Sequence, residues 1–284
     1  MISYLLYRIG QAIALRLPLK TAYSLAVFLT DLYCFFAYVD RARVTRNLKA
    51  IFPDKSAKEI NRIRIDIFRN FSKYLVDFFC FEKINAEYVK NNVKLTNMHY
   101  LKEAAENGKG TILLTAHLGN WELGGKVISI QGFPFVTVAL PHKSKIVNDF
   151  FNTQRGGEGI TILPLGKAAK GCLRALRQNQ TLCLVGDRDF TGKGRMVDFF
   201  GQPTIFPEGP AALSLQTGAA IIPGFMLRHK DDSFELIFER PIEYTLSGNT
   251  VNELKEITNK YKNVFEDYIR RYPEQWYMFR RFWK

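Results

Sequence analysis

The sequence predicts an α/β fold, with a largely parallel central sheet flanked by helices and an N-terminal helical, membrane-associating segment. Three observations predict it. Beyond about residue 92, short apolar runs of strand length alternate with helix-length amphipathic runs, the pattern of a layered, mostly parallel sheet. Before that point there is no alternation, and apolar residues recur every three or four positions. The 284 residues are 47% hydrophobic and 24% charged, which suits an ordered chain long enough to bury a full core. The chain therefore divides into residues 1–91, helical and membrane-associating, and residues 92–284, an α/β domain.

The elements follow in order. "MISYLLYRIGQAIALRL" carries Leu5, Leu6, Ile9, Ile13 and Leu17 at helical spacing, and Pro18 separates it from the next helix. "TAYSLAVFLTDLYCFFAYV" is about long enough to span a bilayer. Asp31 stands in its middle, which is costly in hydrocarbon. Arg41, Arg43, Arg46 and Lys49 follow at once. The favoured reading is a pair of helices lying on a membrane surface; a true span and plain core helices are the alternatives. No cleavable signal peptide is expected, since no small-residue cleavage site follows a short apolar core. A third helix is expected after Asp40. Ser56 and Glu59 then form a capping box that opens a long amphipathic helix through Phe78 and Phe79.

In the second region "VKL", "TILLTA", "FPFVTVAL", "GITILPL", "TLCLVGD", "AAIIPGFMLR" and "SFELIFE" read as strands. "NMHYLKEAAENGKG", "WELGGKVISIQG", "SKIVNDFFNTQRG", "KAAKGCLRALRQN" and "GPAALSLQTG" read as the helices between them. A long helix is expected from about Val251 to Arg271. Where two strands meet without a helix, an antiparallel edge is expected.

The net charge of +13 calls for an acidic partner: nucleic acid, anionic lipid or an acidic carrier protein. No recognised nucleic-acid motif is present, so nucleic acid is not an expected partner. Cys34, Cys80, Cys172 and Cys183 form no C-x-x-C pair and have apolar neighbours, so they read as buried thiols in a reducing compartment.

The candidate chemistry gathers at one edge of the sheet. In open α/β sheets ligands lie beyond the carboxyl ends of the strands. His117 follows "TILLTA" directly; Asp187, Arg188 and Asp189 follow "TLCLV". Arg155 closes the helix before "ITILP", and Glu208 and Gly209 open the helix before the next strand. His117 suits a general base and Glu122 suits the acid that orients it. The plainer reading is a helix-capping histidine and a solvated first-turn acid. "DRD" suits either a divalent metal in a nucleotide-sugar transferase or turn acids after a strand. The segment around Glu208 suits a structural helix start. The aromatic and basic ending "EQWYMFRRFWK" reads as Trp276 and Trp283 packed on the core, or as an interfacial anchor. No G-x-S-x-G occurs, which argues against a serine hydrolase.

"AHLGNWE", "QRGGEGITILP", "GDRDF", "VDFFGQPTIFPEGPAALSLQTGAAIIP" and "RYPEQWYMFRRFWK" occur in this order. With these blocks nearly the whole chain resembles the late acyltransferases of lipid A biosynthesis, within the wider lysophospholipid acyltransferase superfamily. The resemblance implies an enzyme on the cytoplasmic face of a bacterial inner membrane. It would move an acyl chain from acyl carrier protein, or from coenzyme A, to a hydroxyl of a glycolipid. It implies His117 as base and Glu122 as its acidic partner. Arg155 would hold a phosphate or polarise the acyl carbonyl, and Asp187, Arg188, Asp189, Glu208 and Gly209 would bind substrate. No metal or cofactor is implied. Arg188 and the single arginine before the glycines of the second block depart from the lipid A pattern. They leave the acceptor open between a lipid A precursor and another glycolipid or phospholipid; mycobacterial members of the family acylate mannosylated phosphatidylinositol. Two other readings stay open: a metal-dependent glycosyltransferase using "DRD", and a non-enzymatic lipid-binding protein.

Overall fold

The structure, a computed structural model, describes residues 2–156, 159–166 and 168–283. Lys167, Lys284 and residues 157–158 of the second block lie outside the described residues.

Four helices open the chain: α1 (Ile2–Arg16), α2 (Leu19–Phe36), α3 (Tyr38–Ile51) and α4 (Ala57–Phe79). Pro18 precedes α2 as expected. The capping box at Ser56 is formed, with the Ser56 hydroxyl accepting from the Glu59 backbone N–H and the Glu59 carboxylate accepting from the Ser56 N–H. A one-turn 3₁₀ segment and α5 (Ala86–Asn92), capped by the Asn85 side chain, lead to β1 (Val93–Thr96).

The rest alternates as the sequence predicts: α6 (His99–Glu106), β2 (Thr111–Thr115), α7 (Trp121–Ile130), β3 (Phe135–Ala139), α8 (Lys145–Arg155), β4 (Ile160–Pro164), α9 (Ala168–Arg177) and β5 (Thr181–Val185). A hairpin of β6 (Arg195–Phe199) and β7 (Gln202–Phe206) follows, then α10 (Gly209–Thr217), β8 (Ala220–Arg228), β9 (Phe234–Phe238) and α11 (Thr250–Arg271).

Seven strands form one sheet in the order β1-β9-β8-β2-β5-β3-β4. Every pairing is parallel except β8 with β9, the expected direct connection. The chain runs β2, β3, β4, then returns to place β5 against β2, and later crosses to β8 on the other side of β2. The carboxyl ends of β2 and β5 are therefore the switch point at which such sheets take their ligands. The hairpin is a separate two-stranded sheet that sequence patterning does not reveal, because Pro203 interrupts an already short run. It carries Phe199 and Phe206, both fully buried.

The N-terminal helices pack on this body. Ala14, Ala22, Tyr23, Phe78 and Phe79 share one buried cluster with Leu113 and Ile222 of the sheet and Leu123 of α7. The C-terminal segment closes the other side. Trp276 is 1% exposed, and Trp283 rests on Phe199 and Phe200 while its indole donates to the Thr204 hydroxyl at 2.9 Å. Both tryptophans thus follow the packing reading. Asn47 of α3 pins this tail. Its amide donates to the carbonyls of Met278 and Arg280, and its oxygen accepts from the Phe282 N–H.

The outer faces of α1 and α2 stay apolar. Leu5, Leu6 and Ile9, with Phe28, Leu29, Leu32, Phe35 and Phe36, are exposed, Phe35 by 75%. α2 is long and apolar enough to cross a membrane by length and composition, yet it lies against α4. Asp31, the charge that sits badly in hydrocarbon, makes a two-point ion pair with Arg69 of α4 at 2.9 and 2.8 Å. All four cysteines are free, and three are buried. Burial pushes the Cys172 thiol up to about 11 and Cys183 to about 12, which makes them poor nucleophiles.

Candidate active site

His117 and Asp187 stand at matching positions on neighbouring strands. Thr115 of β2 is paired with Val185 of β5, and each side chain lies two residues further on. The His117 Nδ1 to Asp187 Oδ1 distance is 2.6 Å, and the His117 backbone N–H donates to Oδ2 at 3.2 Å. The Trp276 indole N–H donates to the same Oδ2 at 3.0 Å. An ionised carboxylate only accepts, so in the neutral imidazole Nδ1 carries the proton and Nε2 the lone pair. Among the described residues Nε2 has no partner, and the ring lines a cavity of about 750 Å³.

Asp187 is fully buried. Burial by itself would raise its carboxyl. The neighbouring imidazole, with the bonds from His117 and Trp276, outweighs that and holds it below its usual value. A depressed folded value stabilises the fold above the unfolded carboxylate value of about 3.9, and this is lost as pH falls through the folded value. The stability difference between wild type and Asp187→Asn in urea should therefore be full near about pH 6 and shrink toward about pH 3. A difference that does not depend on pH would contradict it.

The expected pairing of His117 with Glu122 is not the one formed. Glu122 lies in the first turn of α7, where Arg155, at the end of α8, takes it in an ion pair with contacts of 2.8 and 2.7 Å. The two side chains are 13% and 17% exposed. The Arg155 guanidinium also lies over the rings of Phe78 and Phe151. Glu122 and Arg155 both line the cavity, so they hold each other in the site beside the histidine.

The remaining candidates divide. Arg188 lines the cavity with its guanidinium over Phe190. Asp189 lines it too, but its carboxylate accepts from the Thr191 hydroxyl and from the Thr191 and Gly194 N–H groups, which shape the following loop. Glu208 is tied to Arg195 of β6. Gly209 also borders the cavity, and a side chain there would meet open space. Phe135, Val138, Ile160, Leu165, Leu184 and Leu213 give the cavity apolar walls. Lys126, His142, Lys193 and Arg280 also border it. Burial pushes the His142 imidazole down, with help from the Arg155 charge.

The corner that carries His117 is held from behind. Gly119 has φ +67°, and a Cβ there would sit 2.0 Å from the Met226 carbonyl oxygen. Its N–H donates to the Gln275 carbonyl at 2.9 Å, and the Tyr277 N–H donates to the His117 carbonyl at 2.8 Å. Asn120 caps α7, accepting from the Leu123 N–H at 3.1 Å. Its amide donates at 2.7 Å to Asp77, a buried acid that also binds the Tyr23 hydroxyl and the Arg228 guanidinium. Gly119→Ala should lower the melting temperature by several degrees and move the corner, because the left-handed backbone and the close carbonyl both exclude a side chain. An unchanged melting temperature would contradict this.

Sequence reasoning missed Asp77 and Arg228. The signal was present in "YLVDFF", where an acid interrupts the buried face of a long helix. It missed Asn47 and Gln275 as well, and neither carries a pattern of its own.

The features together define an α/β protein whose histidine, held by a buried aspartate, opens onto an apolar cavity at the switch point of the sheet. The family model for bacterial lipid A biosynthesis acyltransferases matches residues 1–284, and the chain belongs to that family. A phosphatidylinositol mannoside acyltransferase of Mycolicibacterium smegmatis is 29% identical over 219 residues, 75% of this chain and 70% of that protein. One of Mycobacterium tuberculosis (strain CDC 1551 / Oshkosh) is 31% identical over 192 residues, 66% of this chain and 58% of that protein. A lipid A biosynthesis palmitoleoyltransferase of Escherichia coli (strain K12) is 26% identical over 241 residues, 84% of this chain and 76% of that one.

Proposed function

We propose that this protein is an O-acyltransferase that moves a fatty acyl chain from a thioester donor to a hydroxyl of a glycolipid. The observation that carries the reading is the free Nε2 of His117, oriented by Asp187 at the edge of an apolar cavity large enough for a lipid tail. Nε2 takes the proton of the acceptor hydroxyl as its oxygen attacks the thioester carbonyl. The tetrahedral intermediate collapses, the carbon–sulfur bond breaks, and the leaving thiolate takes the proton back from Nε2. The product is an ester and a free thiol. Asp187 stabilises the imidazolium that forms between these steps. The Arg155 guanidinium, fixed by Glu122, supplies charge to the oxyanion.

The names of the relatives support a glycolipid acceptor of either the lipid A or the phosphatidylinositol mannoside kind. Acyl carrier protein is the favoured donor, since the +13 chain would attract an acidic carrier. The glycosyltransferase alternative loses support because Asp187 is committed to His117 and Trp276, and Asp189 to its own loop. The apolar faces of α1 and α2, followed by Arg41, Arg43, Arg46 and Lys49, suit the anionic cytoplasmic face of an inner membrane. Replacing Leu29, Leu32 and Phe36 together with serine should weaken sedimentation with anionic vesicles by at least about tenfold, since each removes a buried apolar side chain from the bound state. Undiminished binding would move the contact elsewhere.

The test of the reaction is direct. Protein in detergent is incubated with labelled acyl carrier protein and a panel of glycolipids, with and without chelator, and the products are read by mass spectrometry. One new ester on one lipid, formed also in chelator, is expected. Transfer of a sugar, or loss of all turnover on chelation, would overturn the reading.

A further inference from the structure

Asp77 is the hub of a buried network that joins the N-terminal helices to both members of the histidine–aspartate pair. The Tyr23 hydroxyl of α2 donates to one of its oxygens, and Asn120 and Arg228 donate to the other. One arm runs through Asn120, which caps α7 three residues after His117 and whose N–H donates to the Met226 carbonyl at 2.7 Å. The other runs through Arg228, whose backbone N–H and carbonyl are both bonded to the Gln275 side chain at 2.9 Å. The Gln275 carbonyl holds Gly119, and the next residue, Trp276, donates to Asp187. The network is dry: Tyr23 is 3% exposed, Asp77 and Asn120 2%, and Arg228 8%.

Tyr23 is the only member of this network drawn from the helix that presents the exposed apolar face. Its neighbours along α2 include the exposed Phe28, Leu29, Leu32, Phe35 and Phe36. A shift of α2 on meeting lipid would act on the Asp77 carboxylate through the Tyr23 hydroxyl. Close-packed, hydrogen-bonded interiors transmit such shifts rather than absorb them.

We propose that Tyr23 is a positioning residue through which engagement of α2 with a lipid surface sets the geometry of the His117–Asp187 pair. The inference rests on the reading of that pair as the catalytic one. Tyr23→Phe removes only the hydroxyl and keeps the ring that lies 4.9 Å from the Arg228 guanidinium.

Two measurements test it, with Val89→Ala as a control that trims a buried side chain of α5 outside the network. The first is the low-field proton signal of the His117 Nδ1–H, read by NMR in detergent and in anionic lipid nanodiscs without substrate. In wild type and Val89→Ala the signal should shift between the two media; in Tyr23→Phe the shift should be lost. The second is the rate of acyl transfer. Lipid should raise kcat several-fold in wild type and Val89→Ala, and leave Tyr23→Phe about tenfold lower in kcat with the donor KM unchanged. A Tyr23→Phe protein that keeps both responses, or a wild-type signal that does not respond to lipid, would overturn the proposal. The proton signal needs no turnover, so a failure of acyl transfer alone would count against the proposed function and not against the positioning role.

Discussion

Replacing His117 with alanine should lower the rate of acyl transfer by about 10²–10⁴-fold, the range that positioned general bases contribute. The loss should fall on kcat, because Nε2 acts on the proton of the acceptor as the carbon–oxygen bond forms. The fold should survive. The His117 backbone N–H keeps its bond to Asp187, and the Tyr277 N–H keeps its bond to the His117 carbonyl. The ring itself is partly exposed and packs edge-on to Trp121 at 5.2 Å, so its removal opens space toward the cavity rather than inside the core. Steady-state rates and circular dichroism of the same preparation check both halves. Transfer at the wild-type rate with an intact fold would remove His117 from the chemistry.

The second large effect is on stability. Asp77→Ala should destabilise the protein by about 3–5 kcal/mol, the cost of leaving one partner of a buried ion pair alone. The Arg228 guanidinium is held by Asp77 in a side chain 4% exposed. Its other carboxylate contact, Asp232, lies at 3.2 Å and is shared with Lys73. Without Asp77 the guanidinium, the Tyr23 hydroxyl and the Asn120 amide all lose an acceptor in a dry site. The melting temperature should fall on the order of 10 °C. A fall of only a degree or two would mean that water or Asp232 replaces the lost carboxylate.

Much of the fold was legible because its signals are local. The capping box at Ser56, Pro18 before α2, and the alternation after residue 92 each depend on residues close in sequence. The antiparallel edge of β8 and β9 follows from their direct connection. The hairpin of β6 and β7 was not legible, because its strands are short and one contains proline. It gains its order from Trp283 and Phe282, which lie about eighty residues further along the chain.

The site was legible as a set of residues but not as a set of pairs. His117, Glu122, Arg155, Arg188, Asp189, Glu208 and Gly209 do border one cavity. The partners differ, because strand order decides which loops touch. β5 returns to lie beside β2 only after β3 and β4 have been laid down, and that return brings Asp187, seventy residues from His117, into contact with it. Glu122, five residues away, is carried off on α7 toward Arg155. Asp77 and Asn47 went unread for a related reason. Each answers a need created by segments more than forty residues away: Asn120 and Arg228 for Asp77, and the C-terminal tail for Asn47.

Which acid orients His117 is decided most directly by comparing the kcat of Asp187→Asn with that of Glu122→Gln in the acyl-transfer assay. An amide at position 187 can donate toward Nδ1 and so displace the proton that keeps Nε2 basic. Asp187→Asn should therefore lose about as much kcat as His117→Ala. Glu122→Gln keeps the proton on Nδ1 and should retain much more. The reverse order, with Glu122→Gln the more damaged and Asp187→Asn near wild type, would contradict the assignment.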